Sequence, residues 1–410
     1  MAIDTSSLTI IIDGGDVVLP DRVVQAGTVV VVSGKIEYAG PPEHLPERYR
    51  SGARRIAAPS ALVCPALWEP HLHGCGGFST EDMTAEAIVG MAGFLAQRGV
   101  GAFVPTTVPV EDYLHGLGRS LSSPEARRAL EGRVPGIHVE GPFVAASKRG
   151  GIPEELVQPV SPERLQRLLA VTESHIRVLT FAPELTATDW LHGRLRELSI
   201  LPSLGHSDAR YSDLSPYDET APLGVTHLFN GMSGVSHKEP GLAHWALLNR
   251  WVSTELICDG THVQDPALQL AIRSRPAERV VLVSDAIGPA GVSEASGSGG
   301  STPGPAPKPP RLYGKPLEPK GAGFYYADSG TLVGSNLLVK DGLARLIGSG
   351  MVSVPRAVAM ATLNPARFFG YTRKGALLPG YDGDVAVFSR DFRHCDLLTW
   401  QGRVIHERRP

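Results

Sequence analysis

Residues 62–74 read Leu-Val-Cys-Pro-Ala-Leu-Trp-Glu-Pro-His-Leu-His-Gly, an apolar run that becomes polar at its carboxyl end. Seven further apolar runs of strand-like composition follow it, and they span 101–105, 136–139, 176–180, 200–204, 225–228, 254–257 and 280–283. Helical patterns separate them; in residues 84–95, for example, apolar side chains recur every three or four positions. Eight strands that alternate with helices predict an α/β fold of the (β/α)8 TIM-barrel type. A doubly wound sheet is the structural alternative.

The two ends of the chain have a different pattern. Short runs rich in β-branched residues, bounded by glycine and aspartate, predict strands and hairpins there. These runs are 8–12, 28–32, 383–388 and 402–406. Neither end is long enough for a good core of its own. The sequence therefore predicts one small β-sandwich domain made of residues 1–60 plus 370–410, with the catalytic barrel in residues 61–369.

One segment interrupts the alternation of strands and helices. Residues 291–320 are rich in glycine, serine and proline and follow the eighth predicted strand. This composition predicts a flexible insertion that buries no apolar face. We interpret it as a linker, with a substrate lid at the active face of the barrel as the alternative.

Composition excludes several classes of protein. The chain of 410 residues carries 39 lysines and arginines against 42 acidic residues, so it has no basic field for nucleic acid. No apolar run is long enough for a transmembrane helix, and the N terminus lacks the features of a secretory signal. The 4 cysteines are scattered and include no Cys-x-x-Cys pair. We therefore expect a cytoplasmic protein without membrane or nucleic-acid partners.

Polar residues at the predicted strand ends are the main functional signal. Six of the strands end in segments that contain histidine, glutamate or aspartate, namely 69–74, 138–142, 205–207, 226–230, 259–262 and 284–286. His71 and His73 are two positions apart, so both rings can face the same side of a strand. One such histidine alone is more often packed or hydrogen-bonded than metal-bound. Together they predict a site for zinc or another divalent metal, because the carboxyl ends of barrel strands converge on one pocket.

The chain resembles the N-acetylglucosamine-6-phosphate deacetylase family of the amidohydrolase superfamily. The matching segments occur in family order from about residue 8 to residue 406, so the resemblance covers nearly the whole chain. They are 65–77, 104–107, 138–143, 182–184, 205–209, 226–232, 238–241, 259–263, 283–286, 330–335, 364–366 and 380–384. Glu140 distinguishes this family from the cyclic-amide hydrolases, which typically have a carboxylated lysine at that point.

The resemblance implies a role for each matching site residue. Glu140, His206 and His227 would hold one divalent metal ion. His71 and His73 would hold a second ion, bridged to the first by Glu140. Asp285 would be the general acid and base. The substrate-binding residues would be Asn230, Gly231, His262 and Lys238. Zinc is the expected metal, with iron, cobalt and manganese as alternatives.

The implied reaction is metal-dependent hydrolysis of the N-acetyl amide of an amino sugar. The expected substrate is N-acetylglucosamine 6-phosphate, which would give glucosamine 6-phosphate and acetate. The metal would activate the attacking water, and Asp285 would transfer its proton. The resemblance also implies a homodimer, because the family residue at position 238 reaches the phosphate of the partner subunit's substrate.

At two positions the chain departs from the family pattern, and both bear on whether the substrate carries a phosphate group. Lys238 stands where the family usually has arginine, and lysine lacks the fork that binds phosphate in a bidentate manner. Ile152 stands where the family often has histidine. An unphosphorylated or otherwise modified N-acetyl amino sugar is therefore the alternative substrate. A non-catalytic relative is disfavoured, because all the implied metal ligands and Asp285 are present.

Overall fold

The computed structural model describes residues 9–50, 53–219, 222–292 and 310–408. The chain forms two compact units: one comprises Met1–Glu69, Gly93–Ala102 and Val339–Pro410, and the other comprises Pro70–Ala92 and Phe103–Leu338. The domain boundaries expected from the sequence, at 60/61 and 369/370, stay a prediction.

The strands, numbered in chain order, have the following bounds: β1 Thr9–Val18, β2 Val23–Val32, β3 Lys35–Gly40, β4 Arg54–Ala57, β5 Leu62–Pro65, β6 Leu67–Leu72, β7 Gly74–Cys75, β8 Phe78–Ser79, β9 Val100–Thr107, β10 Ile137–Glu140, β11 Ile176–Phe181, β12 Leu201–Leu204, β13 Gly224–Val225, β14 Ser253–Ile257, β15 Val280–Val283, β16 Arg311–Leu312, β17 Lys315–Lys320, β18 Gly323–Tyr326, β19 Leu332–Ser335, β20 Val385–Phe388, β21 Cys395–Trp400 and β22 Arg403–Glu407. The α-helices are α1 Ala85–Ala96, α2 Glu111–Ser122, α3 Pro124–Leu130, α4 Pro162–Val171, α5 Thr188–Glu197, α6 Leu242–Leu248, α7 Asp265–Ser274, α8 Val339–Ser349, α9 Val354–Ala361 and α10 Leu363–Phe368.

The terminal unit is built on one sheet that joins both ends of the chain. Its strand order is β22-β21-β20-β5-β1-β2-β3, with β4 paired to β1. Alternate residues of β1 enter different apolar clusters: Ile10 and Ile12 pack with Val29 and Val31, whereas Ile11 packs with Val30. Both faces of the sheet are therefore covered by apolar side chains, which allows the two ends of the chain to share one core.

The other sheet of eight strands has the order β15-β14-β13-β12-β11-β10-β9-β6. Its pairs from β9 to β15 are all parallel. A parallel bridge between Leu72 and Ala286 connects the two edges of this sheet. The predicted (β/α)8 barrel is confirmed, and so is the separate β-structure from the termini. In such a barrel the strands end at one common rim, which brings their last residues together.

Two predicted strands differ in detail from the observed ones. The run at 62–68 is divided, because β5 pairs with β1 and β20 in the terminal sheet and β6 begins the barrel. The run at 225–228 contributes only β13, which ends at Val225. The backbone then turns through left-handed conformations at His227 and Phe229, where φ is 29° and 80°. This turn directs His227 into the barrel mouth rather than along a strand.

The prediction of an insertion that buries no apolar face is wrong for residues 310–320. These residues supply β16 and β17 of a small antiparallel sheet with the order β16-β17-β18-β19. Leu312 and Leu317 are buried against Phe324 and Tyr326. The apolar partners lie further along the chain, so the composition of the segment alone does not reveal them. The rest of the low-complexity stretch, 293–309, lies outside the described residues.

No helix in the described ranges is both long enough and apolar enough to span a membrane.

Candidate metal and active site

The predicted site residues meet at the rim where the barrel strands end. His71 lies on β6 and Glu140 ends β10, while His206, His227 and Asp285 follow β12, β13 and β15. Three of them have left-handed backbone conformations, with φ of 48° at His206, 29° at His227 and 54° at Asp285. Such strained conformations in non-glycine residues cluster at functional sites.

Glu140, His206 and His227 form the tightest group. The Oε1 atom of Glu140 lies 3.0 Å from Nε2 of His206 and 2.9 Å from Nε2 of His227, and the two Nε2 atoms are 3.1 Å apart. Ligands of one tetrahedral zinc ion at about 2.0–2.1 Å lie roughly 3.3 Å from each other. The three donor atoms are thus arranged as ligands of a single cation.

The protonation of His206 supports this arrangement. Its Nδ1 lies 2.9 Å from the carbonyl oxygen of Lys148, and a carbonyl can only accept a hydrogen bond. Nδ1 therefore carries the proton of the neutral ring, and Nε2 presents a lone pair to Glu140 and His227. A lone pair that faces a carboxylate oxygen is stable when a cation lies between the two atoms.

A second group lies beside the first. His71, His73 and Asp285 bring one ligand atom each within 4.8 Å of the others. Nε2 of His73 is 3.3 Å from Oε2 of Glu140 and 3.5 Å from Oδ1 of Asp285. Nε2 of His71 is buried and has no hydrogen-bond partner. The carboxylate of Glu140 therefore faces both groups: Oε2 lies toward His73, and Oε1, which faces His206 and His227, is also 3.7 Å from Nε2 of His71.

Burial and neighbouring charges set the protonation of these groups. Burial lowers the pKa of His71 to about 3, so this ring is neutral and can act as a ligand. Burial alone would raise the pKa of Glu140, but the charge and hydrogen bond of His206 and the hydrogen bond of His227 outweigh it. The pKa of Glu140 is held well below its usual range. Burial alone would lower the pKa of His206, but the charge and hydrogen bond of Glu140 raise it, so without a metal the two groups share a proton. A bound cation would replace that proton and leave Nε2 of His206 as a ligand.

Glu255 is a functional candidate that the sequence analysis missed. It is buried on β14, and its Oε2 atom accepts hydrogen bonds from Nδ1 of His71 at 2.9 Å and from the backbone N–H of His227 at 3.1 Å. One oxygen atom thus orients a residue of each group. The sequence does contain one signal for Glu255, a glutamate inside an apolar strand. Burial of a carboxylate costs free energy unless the carboxylate is paired.

His262 is also oriented by a carboxylate. Its Nδ1 donates to Oδ2 of Asp259 at 2.6 Å, and its Nε2 lies 4.0 Å from Oδ2 of Asp285. Burial alone would raise the pKa of Asp259, but the hydrogen bond and charge of His262 and two backbone N–H groups lower it. The hydroxyl of Ser335 also donates to Asp259, at 3.0 Å. His262 is thus held with Nε2 facing Asp285.

A cavity of about 140 Å³ lies in front of these groups. Of the predicted substrate-binding residues, Asn230, Gly231 and His262 line it. Gly231 has a φ of 54°, and a Cβ there would lie 3.0 Å from Nδ1 of His206, so a side chain would disturb the ligand. Lys238 is exposed and is not part of the lining.

The remaining lining comes from two sources. The short loop after β9 contributes Val108, and the long segment between β10 and α4 contributes residues 150–152. The antiparallel sheet contributes Leu312, Tyr313, Leu332 and Val333. None of the four residues of the sheet is a site residue predicted from the sequence. Their contribution depends on a hairpin whose strands are too short to recognise by periodicity.

Sequence comparison agrees with the geometry. The N-acetylglucosamine-6-phosphate deacetylase of Bos taurus is 30% identical over 397 residues, which cover 89% of this chain and 90% of that protein. The chain belongs to the N-acetylglucosamine-6-phosphate deacetylase family. The resemblance drawn from the sequence is thereby confirmed, and the chain is an enzyme of the amidohydrolase class. Residues 324–401 also match the Amidohydrolase family.

Two further proteins extend the comparison. The N-acetylgalactosamine-6-phosphate deacetylase of Escherichia coli O157:H7 is 29% identical over 345 residues, covering 84% of this chain and 87% of that protein. The solved N-acetylglucosamine-6-phosphate deacetylase of Thermotoga maritima is 25% identical, with a TM-score of 0.79 and coverage of 97% of this chain and 100% of that one. The family is metal-dependent, in agreement with the two ligand groups described above.

Proposed function

We propose that this enzyme hydrolyses the acetamide group of an N-acetylated amino-sugar 6-phosphate, most directly N-acetylglucosamine 6-phosphate, to the free amine and acetate. The observation that carries the proposal is the meeting of Glu140, His206 and His227 around one point, with Asp285 at the edge of the same cavity. The names of the relatives support the substrate class.

The proposed metal ligands are Glu140, His206 and His227 for one ion, and His71 and His73 for a second ion with Glu140 as the bridge. Imidazole nitrogen and carboxylate oxygen suit zinc best, and iron, cobalt or manganese can occupy the same donors. A divalent ion in this site supplies Lewis acidity toward the amide carbonyl and lowers the pKa of a water molecule.

Asp285 is the proposed proton carrier. Its carboxylate lies 3.5 Å from Nε2 of His73 and 4.0 Å from Nε2 of His262, and Asp285 lines the cavity. It accepts a proton from the attacking water and returns it to the amine nitrogen as the C–N bond breaks. Asn230 and the backbone of Gly231 orient the sugar, and His262 contacts the amide carbonyl.

The proposal includes assembly and location. If Lys238 reaches the phosphate of the partner subunit's substrate, the functional unit is a homodimer, and the exposure of Lys238 is consistent with that role. All 4 cysteines are free and buried, which supports a reducing, cytoplasmic environment. The experiment that tests the substrate is an acetate-release assay on N-acetylglucosamine, its 6-phosphate and N-acetylgalactosamine 6-phosphate. The proposal requires the phosphorylated sugars to be preferred.

Lys238 decides between the phosphorylated and unphosphorylated alternatives. A hydrogen bond to a charged group contributes about 1.5–3 kcal/mol, so Lys238→Ala should lower kcat/KM on the phosphorylated sugar roughly ten- to a hundredfold, through KM. The unphosphorylated sugar is the internal control and should be unaffected. Lys238→Arg should equal or exceed the wild type. Equal losses on both sugars would contradict a phosphate contact.

Glu255 should act as a positioning residue for the metal ligands. Glu255→Leu removes the acceptor of two buried N–H groups, so we expect metal affinity to fall about 10–100-fold, as for other partners of metal-bound histidines. Competition with a chelator measures this affinity. Glu255→Gln keeps an acceptor oxygen and should lose less. Unchanged affinity in a folded Glu255→Leu variant would exclude this role.

A further inference from the structure

The tip of the β16–β17 hairpin has an unusual residue. Leu312 pairs with Lys315, so Tyr313 and Gly314 form a two-residue turn. Both have positive φ, 50° and 75°, as in a type I′ turn. Asparagine followed by glycine is the usual choice there, and a bulky aromatic residue in this conformation is an outlier. Such strain is typical of residues held for a functional purpose.

Several contacts hold Tyr313 in this conformation. Its backbone N–H donates to Oε1 of Glu81 at 2.6 Å. Its ring lies against that of Tyr113, with centroids 6.3 Å apart and planes at 24°. It also packs on the apolar cluster that contains Val108 and Ile152. The hairpin therefore directs the ring of Tyr313 into the wall of the cavity rather than toward solvent.

The hydroxyl of Tyr313 contacts a metal-ligand candidate. It lies 3.2 Å from Nδ1 of His73, while Nε2 of the same ring faces Glu140 and Asp285. If Nε2 binds metal, Nδ1 carries the proton and donates a hydrogen bond to the phenol oxygen. The phenolic hydrogen is then free to donate to an oxygen atom in the cavity.

Apolar side chains pack against Tyr313, among them Val108, Ile152 and Leu312. Val108, Ile152 and Leu312 line the same cavity as Tyr313, whereas Asn230 and Gly231 contribute polar groups to the lining. An acetyl group has the matching chemistry, with a carbonyl oxygen that accepts a hydrogen bond and a methyl group that requires apolar contacts.

We propose that Tyr313, together with Val108, Ile152 and Leu312, forms the pocket for the acyl group of the substrate and sets its permitted size. The hydroxyl of Tyr313 donates to the acyl carbonyl and accepts from His73, and the ring closes the pocket behind the methyl group. This inference rests on the proposed deacetylase function and adds to it a determinant of acyl specificity.

Two variants at Tyr313 separate the hydroxyl from the ring. Tyr313→Phe keeps the ring and should lower kcat/KM on the N-acetyl substrate about tenfold, the value of one hydrogen bond. Tyr313→Asn removes the ring but suits the turn, so its Tm should equal or exceed that of the wild type. Tyr313→Asn should also lower the ratio of kcat/KM for the N-acetyl over the N-propanoyl amino-sugar phosphate at least about tenfold. One methylene group in a fitted pocket changes kcat/KM roughly 10–200-fold.

The control is Tyr113→Phe, which removes the hydroxyl of the neighbouring ring. Tyr113 does not line the cavity, so this variant should keep the wild-type preference for the N-acetyl substrate. Chelator competition gives a readout without turnover: Tyr313→Phe should weaken metal binding about tenfold through His73. An unchanged acyl preference in Tyr313→Asn, with an active wild type, would overturn the acyl pocket alone. A metal-loaded wild type that releases no acid from either N-acyl sugar phosphate would overturn the proposed function and this inference together.

Discussion

Asp285→Asn is expected to lower kcat by about 10²–10⁴-fold, because general acid–base catalysis of this kind contributes that factor. Asparagine has the shape of aspartate, so the backbone hydrogen bond from residue 285 to the carbonyl of His71 should persist. Its amide cannot accept the proton of the attacking water or return one to the leaving amine. We therefore expect metal content and KM to change little while turnover collapses, and steady-state kinetics with elemental analysis measures both.

The matched control is Asp189→Asn, an exposed aspartate on α5, which should keep wild-type kinetics. If Asp285→Asn retained more than about a tenth of the wild-type kcat, another group would have to be the base. If it lost metal as well as turnover, Asp285 would act as a ligand of the His71–His73 group, which its 3.5 Å distance from His73 permits.

His206→Ala and His227→Ala should each remove metal and activity together. Nε2 of each ring faces Oε1 of Glu140, at 3.0 Å for His206 and 2.9 Å for His227. Either change therefore reduces the proposed ligand set from three residues to two. Removal of one ligand should also destabilise the folded state, since Glu140 then remains buried without a full set of partners. We expect substoichiometric metal and loss of nearly all turnover.

Elemental analysis of the purified variants checks this prediction. His115→Ala is the control, because His115 is an exposed histidine on α2 outside the site. Full metal occupancy in both His206→Ala and His227→Ala would exclude this ligand set. Circular dichroism of each variant separates lost ligation from lost folding.

Much of the site could be predicted because the barrel imposes a rule on the sequence. Polar residues at the ends of parallel strands converge, so Glu140, His206, His227 and Asp285 could be grouped without knowledge of any distance. The structure brings these four residues together at the rim. Their roles as ligands and acid–base group stay predictions that the variants above test.

Other features depend on contacts that a linear pattern does not contain. His206, His227 and Asp285 have left-handed backbone conformations at the rim. Histidine and aspartate do not predict this conformation from sequence, as glycine would. Tyr313 follows a stretch rich in proline and glycine, which predicts no packed structure. Its position in the cavity wall depends on apolar partners in β18, further along the chain. Glu255 was recognised as part of a strand but not as a hydrogen-bond acceptor for two segments distant in sequence.

The distribution of the ligands along the chain has a consequence for how the enzyme matures. His71, Glu140, His206 and His227 come from different strands, and Asp285 follows the last one, so no short stretch of a growing polypeptide contains a complete site. We therefore expect metal capture to follow closure of the barrel instead of guiding it. An ion bound only by the finished structure stabilises that structure by mass action and delays its opening. We expect the metal-free enzyme to refold at nearly the same rate as the loaded form but to unfold faster, so metal supply would govern the lifetime of the enzyme more than its production.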